Sequence, residues 1–317
     1  MNDYATGVDE IFRAYQRIGK HVHRTPLLSN RTLSEQSSLD LRFKCELFQR
    51  TGSFKIRGAL NAILNLDPEV AKRGVVTHSS GNHGQAVALA AAMQDIEAHV
   101  VVPSNTSATK RQAVASYGAR LYECEATQQA REREAQRLVT ALNATLIPPF
   151  DHPDIIAGQG TIALELLEQA HELDAVVVPV GGGGMVSGIA LALASLAPRV
   201  RVIAAEPAEA DDTFRSILHG SRQPLSDGHT IADGLRTRVG ELTWPIIRDH
   251  VERVIRVDEN SIVHSMRHTW ERTKLLIEPS AAVGIAALHS DELQALELGT
   301  VAVILCGGNV DLSNLPW

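Results

Sequence analysis

Cysteine is scarce in this chain. Cys45, Cys124 and Cys306 are the only three, and no two form a Cys-x-x-Cys pair. An odd, scattered set argues against a disulfide framework and against a cysteine-built zinc site, and the expected compartment is the cytoplasm. Aromatic residues make up only 4% of the sequence, so Ala, Val, Leu and Ile must fill the core. Basic clusters are missing too: the formal charge is -7 and Lys and Arg are scattered, which leaves no electrostatic footprint for nucleic acid. No apolar run is long enough to cross a bilayer. Residues 1–20 mix acids, bases and apolar residues at helical spacing, without the apolar block of a signal peptide. Internal repeats, low-complexity tracts and Gly/Ser linkers are also lacking.

What is present is an alternation. Short β-branched runs, Val75–Thr77 and His99–Val102, take turns with Ala/Leu-rich amphipathic stretches expected to be helical over 84–93 and 110–117. The pattern resumes with a strand over 175–180, a helix over 185–196, a strand over 200–205 and a last strand over 301–305. Such alternation predicts βαβ units and parallel sheets. A length of 317 residues exceeds what one core usually supports, so two lobes are expected. The stretch Pro148–Pro153 is the best candidate for a crossing between them. Three predicted strands end in small-residue turns, at 79–84, 181–184 and 306–309. In open α/β sheets ligands sit at the carboxyl ends of strands, so the site is sought there.

Gly181, Gly182, Gly183 and Gly184 lie between a buried strand and a helix. Backbone N–H groups can converge in such a turn and the helix N-terminus adds partial positive charge, which makes an anion cradle with phosphate as the natural guest. A tight packing turn is the plainer alternative. A dinucleotide site is a rival, with Glu206 as the ribose acid, but Val186 and Ser187 stand where the fingerprint needs glycine. A Walker loop is excluded, since no Gly-Lys-Ser/Thr follows.

Lys55, in Ser53-Phe54-Lys55-Ile56-Arg57-Gly58-Ala59, is expected in the first turn of a helix capped by Ser53. An ammonium among apolar neighbours near a positive helix end is pushed toward the neutral amine, which forms Schiff bases; a solvated charge is the commoner fate of such a lysine. The loop Ser79-Ser80-Gly81-Asn82-His83-Gly84 gathers hydroxyls, an amide and backbone N–H groups. It suits a carboxylate and offers a hydroxyl for proton transfer, or serves as an N-cap and nothing more. Ser80 lacks the Gly-x-Ser-x-Gly elbow of a hydrolase nucleophile.

Taken together, Lys55 in its motif, the Ser-Ser-Gly-Asn-His-Gly loop, the glycine tetraloop and Cys306-Gly307-Gly308-Asn309 resemble the fold-type II pyridoxal-phosphate enzymes. More narrowly, the chain is similar to the serine/threonine dehydratases (ammonia-lyases) and serine racemases, from about Arg24 to Leu312 and in the family order. The resemblance implies a two-lobed α/β fold of the tryptophan synthase β type, with a parallel-rich twisted sheet and flanking helices in each lobe. The large lobe would comprise residues 1–73 and 151–317, and the small lobe residues 74–150. The resemblance also implies pyridoxal 5'-phosphate as cofactor. Lys55 would be its Schiff-base anchor and the base for the α-proton, Phe54 would pack beside the ring and Asn82 would bond the ring hydroxyl. Gly181–Gly184 with Met185 would cradle the phosphate, and Cys306 would face the ring nitrogen. Ser79, Ser80, Gly81, Asn82 and His83 would hold the substrate carboxylate, joined by Thr237. Ser80 would exchange a proton on the face opposite Lys55.

Two departures stand out. Relatives commonly place Ser or Thr where this chain has Cys306, whose weaker hydrogen bond should leave the carbanion short-lived; a small buried residue is the plainer reading. Serine racemases tend to carry a polar residue where Phe150 stands. Both tilt the expectation toward dehydration and deamination of L-serine or L-threonine to a 2-oxo acid and ammonia. Serine racemase is the alternative, and a 3-hydroxyaspartate dehydratase with Arg131 on a second carboxylate is the third choice. The resemblance further implies a divalent cation, Mg²⁺ or Ca²⁺, on Glu206, Asp212 and the carbonyl of Ala210, against an acidic solvated loop as the plain reading. Arg50 replaces a lysine often found in the family, which leaves ATP as effector open. A homodimer fits the resemblance, and no appended regulatory domain is expected. An NAD-dependent oxidoreductase and a non-catalytic small-molecule binder remain the rivals from other classes.

Overall fold

The computed structural model describes residues 4–317. Residues 1–3, counted above in the large lobe, lie outside the described residues. Among the described residues ten strands form two sheets. In chain order they are β1 (Leu27–Ser29), β2 (Asp40–Lys44), β3 (Val75–Thr77), β4 (Ala98–Pro103), β5 (Arg120–Cys124), β6 (Thr145–Leu146), β7 (Ala175–Pro179), β8 (Arg201–Pro207), β9 (Arg253–Val257) and β10 (Thr300–Ile304). The larger sheet runs β1-β2-β10-β7-β8-β9 and the smaller β5-β4-β3-β6. All pairings are parallel except β1 with β2.

Parallel sheets covered on both faces need strands that are apolar throughout, and β7 is buried at every position. The crossover helices start where sequence chemistry lets them. Thr127 caps the helix Gln128–Leu142 by accepting from the Ala130 N–H, and His152 caps Pro153–Gln169 with Pro153 in the first turn, where its missing N–H costs nothing. Among the described residues no helix is long and apolar enough to cross a membrane.

The two sheets meet around the helix Lys55–Leu64. Although it follows β2 of the larger sheet, its Ile56, Ala59, Leu60 and Ile63 share a buried cluster with Val75, Val87 and Ala91 around the smaller one. The start of this helix is therefore gripped from both sides. The turns after β2, β3, β7 and β10 all leave the carboxyl ends of their strands.

Candidate active site

The chain leaves β2 through two 3-10 turns, Glu46–Phe48 and Arg50–Gly52, before entering the Lys55 helix. Ser53 does not cap that helix. It is extended and bridges Gly307, Phe54 takes the cap position without a side-chain bond, and the Phe54 N–H donates to the Cys306 carbonyl at 3.1 Å. Pairing with the end of β10 thus replaces the capping bond, and it fixes Lys55 relative to Cys306. From beneath, Arg57 donates from Nε to Glu46 Oε2 at 2.8 Å and from Nη1 to Glu165 Oε1 at 2.7 Å. Lys44 Nζ reaches Glu165 Oε2 at 2.6 Å. All four charges are buried. Removing one partner of such a set costs about 3–5 kcal/mol, because the remaining charge is stranded.

Lys55 itself is half-buried. Its Nζ donates to the Pro149 carbonyl at 2.8 Å and lies 5.1 Å from the Phe54 ring centroid. Among the described residues no carboxylate comes within ion-pair distance of it. Burial lowers it from 10.5 to about 8, a shift that Cys306 and Glu278 partly oppose. At neutral pH a minor but substantial fraction of such an amine, far more than of a solvated lysine, is the neutral nucleophile.

The glycine turn after β7 is built for close approach. Gly183 is at φ +90, the region that favours glycine. A Cβ on Gly182 would lie 2.3 Å from the Phe150 ring, and one on Gly181 would lie 3.0 Å from Thr237 Oγ1. Gly183 is the N-terminal cap of the helix Gly184–Leu196, with Met185 buried in its first turn. The turn is tied down by Thr243, whose Oγ1 donates to the Gly182 carbonyl at 2.8 Å, and by Asp151, whose Oδ1 accepts the Leu242 N–H at 2.9 Å.

After β3, Ser79, Ser80 and Gly81 form the partly exposed turn that leads into the helix Asn82–Ala92. The ring of His83 is committed elsewhere. Its Nε2 faces the Ile147 carbonyl at 3.0 Å and must carry the proton, while burial and Lys55 lower the ring to about 3. The neutral ring leaves Nδ1 buried, without a partner among the described residues and able only to accept, so it cannot donate to a carboxylate. The backbone N–H at the start of the helix is what His83 has to offer an anion.

Sequence reasoning missed Glu278. This buried carboxylate precedes the helix Pro279–Ala287 and accepts from Asn82 Nδ2 at 2.8 and 3.0 Å and from the Asn309 N–H at 3.1 Å. A lone charge in the apolar stretch Leu275–Leu288 was the available signal. Cys306 is buried, and burial followed by Glu278 raises it well above the usual thiol range, so it stays a neutral thiol. Lys55, His83, Cys306 and Glu278 act on one another's ionisation, which places them in one site.

Arg131 stands further out, on the helix Gln128–Leu142 beside His78, with a buried Nε that finds no partner among the described residues. Glu206 and Asp212 are buried at the end of β8. Burial raises Glu206 to about 8 and Asp212 to about 6, with Asp212 adding to the shift of Glu206. Glu206 accepts the Phe214 and Thr213 N–H groups, and Asp212 Oδ2 accepts the Val239 N–H at 2.8 Å. Among the described residues no three metal-ligating side chains cluster, so a cation here would rest on these two carboxylates and backbone oxygen such as that of Ala210.

The glycine cradle, the amine held away from carboxylates and the neutral thiol fit pyridoxal phosphate. The chain belongs to the pyridoxal-phosphate-dependent enzyme family, whose model matches residues 18–307. Within it, the chain is 48% identical to serine racemase of Dictyostelium discoideum, with 96% of this chain and 95% of that protein covered. It is 46% identical to human serine racemase, with 99% and 94% covered. The solved structure of maize serine racemase superposes with a TM-score of 0.96 at 46% identity, covering 98% of this chain and 95% of that one. A solved T.th. threonine deaminase structure matches with a TM-score of 0.91 at 39% identity, covering 97% of this chain and 100% of that one. These likenesses favour the racemase alternative over the dehydratase reading. Phe150, which tilted the expectation the other way, lies against the glycine turn, where a Cβ on Gly182 would stand 2.3 Å from its ring and one on Gly184 3.1 Å from its own Cβ.

Proposed function

We propose that the enzyme interconverts L- and D-serine and, as a side reaction, eliminates water from serine to give a 2-oxo acid and ammonia. The observation that carries this reading is identity of 46–48% over nearly the whole chain to serine racemases. Bound pyridoxal phosphate supplies the electron sink that acidifies the substrate α-carbon. Lys55 would anchor it, Phe54 and Asn82 would flank its ring, and Cys306 would meet its ring nitrogen as a neutral thiol. Gly181–Gly184 and Met185 would hold its phosphate. The substrate carboxylate is received by Ser79, Ser80, Gly81, Asn82 and the backbone N–H of His83, with Thr237 beside the glycine turn. Lys55 Nζ takes the α-proton of L-serine, and Ser80 Oγ returns one to the opposite face; the reverse order serves D-serine. Closure of the small lobe, near residues 74–150, would bring Ser80 in and exclude water. Incubation with L-serine, following D-serine and 2-oxo acid together, tests this: both are expected, and 2-oxo acid alone would return the dehydratase reading.

The Nε of Arg131, which finds no partner among the described residues, favours a second reading for substrate scope, acceptance of a second carboxylate as in 3-hydroxyaspartate. Two further features belong to the same proposal. Glu206, Asp212 and the Ala210 carbonyl hold Mg²⁺ or Ca²⁺, since two buried carboxylates with raised proton affinity gain most from a hard cation. The cation would steady the glycine turn, because Val239 bonds Asp212 and the next residue, Gly240, donates to the Gly182 carbonyl at 3.2 Å. The free cysteines suit the cytoplasm, and the enzyme is expected to work as a homodimer. Arg50, exposed on its 3-10 turn, is where a nucleotide effect would be sought.

A further inference from the structure

Four groups at the junction of the two sheets form a hydrogen-bonded chain whose direction is fixed at both ends. One end is the Thr51 carbonyl and the other the Glu278 carboxylate, and an ionised carboxylate, like a carbonyl, only accepts. Between them, Asn309 Nδ2 donates to the Thr51 carbonyl at 2.6 Å and to Asn82 Oδ1 at 2.8 Å. Asn82 Nδ2 in turn donates to Glu278 Oε1 at 2.8 Å and Oε2 at 3.0 Å. Turning either amide over would set oxygen against oxygen or N–H against N–H. The two oxygens of one carboxylate subtend too narrow an angle at a single nitrogen to take both its hydrogens, so one Asn82 N–H remains to be offered elsewhere.

We propose that Glu278 is a positioning residue that holds Asn82 with an N–H, and not its carbonyl, toward the cofactor, so that the ring hydroxyl oxygen of pyridoxal phosphate meets a donor and is kept ionised. This rests on the reading above in which Asn82 flanks that oxygen. The surroundings of Glu278 are shaped to the carboxylate. It is only 4% exposed, and a Cβ on Gly307 would stand 2.7 Å from its Oε1, so a side chain there would displace it.

Burial, then Asp233, push Glu278 up to about 7, while Asn82, the Asn309 N–H and Lys110 hold it down. Asp233 is itself paired with Lys110 of the helix Ala108–Ser116, and Lys55 and Cys306 face the carboxylate from their own elements. Above neutral pH the carboxylate accepts and the chain runs as described. Below it, the protonated carboxyl carries a donor of its own and the Asn82 orientation is no longer enforced.

The test uses two holoenzyme variants. Glu278→Gln replaces one carboxylate oxygen by an NH2, so the side chain sets a donor against either the Asn82 N–H or the Asn309 backbone N–H and no longer enforces the Asn82 orientation. Combining it with Asn82→Asp restores pairing, because the glutamine donates to the aspartate and the aspartate still accepts from Asn309, yet the cleft now meets an oxygen. The readouts are the thermal midpoint and the ratio of the long- and short-wavelength absorption bands of bound cofactor, which reports where the ring-hydroxyl proton sits, followed from about pH 6 to about pH 9. In the parent the ratio should titrate near neutrality. In Glu278→Gln it should move severalfold toward the short-wavelength band and lose that titration, with cofactor held about tenfold more weakly. In the double variant the thermal midpoint should recover while the band ratio does not. A parental ratio in Glu278→Gln, or recovery of ratio and stability together in the double variant, would overturn the proposal. A parent with no visible band that borohydride bleaches would instead sink the reading on which it rests.

Discussion

Lys55 Nζ donates to the Pro149 carbonyl at 2.8 Å, a bond across 94 residues of sequence that sets the amine against the stretch Pro148–Pro153. A carbonyl orients an ammonium without neutralising it. Burial therefore dominates its proton affinity, opposed only in part by Cys306 and Glu278.

The first prediction concerns that amine. Its folded value, about 8, is depressed from 10.5, so the neutral form gains as pH rises through about 8. The rate at which cofactor-free protein develops the borohydride-sensitive visible band should rise with pH to a midpoint near 8. Stopped-flow absorption reads this, and a midpoint near that of a solvated lysine would contradict the burial argument. Lys55→Ala should lose both racemisation and elimination.

A second prediction concerns the cradle. Gly182→Ala places a methyl group 2.3 Å from the Phe150 ring, and overpacking of this kind costs about 1–3 kcal/mol. Cofactor affinity should fall by roughly tenfold or more, and Gly182→Ala with Phe150→Ala should regain part of it. Equilibrium dialysis of the two variants makes the comparison. No recovery would mean that the glycine serves the phosphate alone.

Glu206 and Asp212 give a stability prediction with a definite sign. Both are raised, to about 8 and about 6, above ordinary values of 4.5 and 3.8. Their contribution is present in full below the ordinary values and lost as pH rises through the folded ones. Thermal midpoints measured in chelator should therefore decline between about pH 5 and about pH 8, with saturating Mg²⁺ or Ca²⁺ restoring more at the upper end. Glu206→Gln should flatten both trends. A cation effect independent of pH would remove the metal from this pair.

What could be read in advance divides along physical lines. The strand-and-turn rhythm was legible because parallel strands buried on both faces are apolar throughout, as in β7. The glycine turn announced itself, since four consecutive glycines have few other uses. Lys55 could be read only in company, because its low proton affinity comes from burial by distant segments. The Arg57 network was hidden for a related reason: Glu165 lies 108 residues away from Arg57, and nothing local marks either as a partner. Ser53 misled because capping propensity is local, whereas its extended backbone is imposed by Gly307. The tautomer of His83 was not legible, because the Ile147 carbonyl, not the residue type, decides which ring nitrogen keeps the proton.

The division of labour between Lys55 and Ser80 is the heart of the proposed racemisation, and solvent hydrogen exchange at the substrate α-carbon tests it most directly. In deuterated water, Ser80→Ala should still wash deuterium into L-serine through Lys55 and still eliminate from it, while exchange into D-serine and racemisation are lost. Equal exchange into both enantiomers by that variant, or equal loss from both, would contradict the two-residue account.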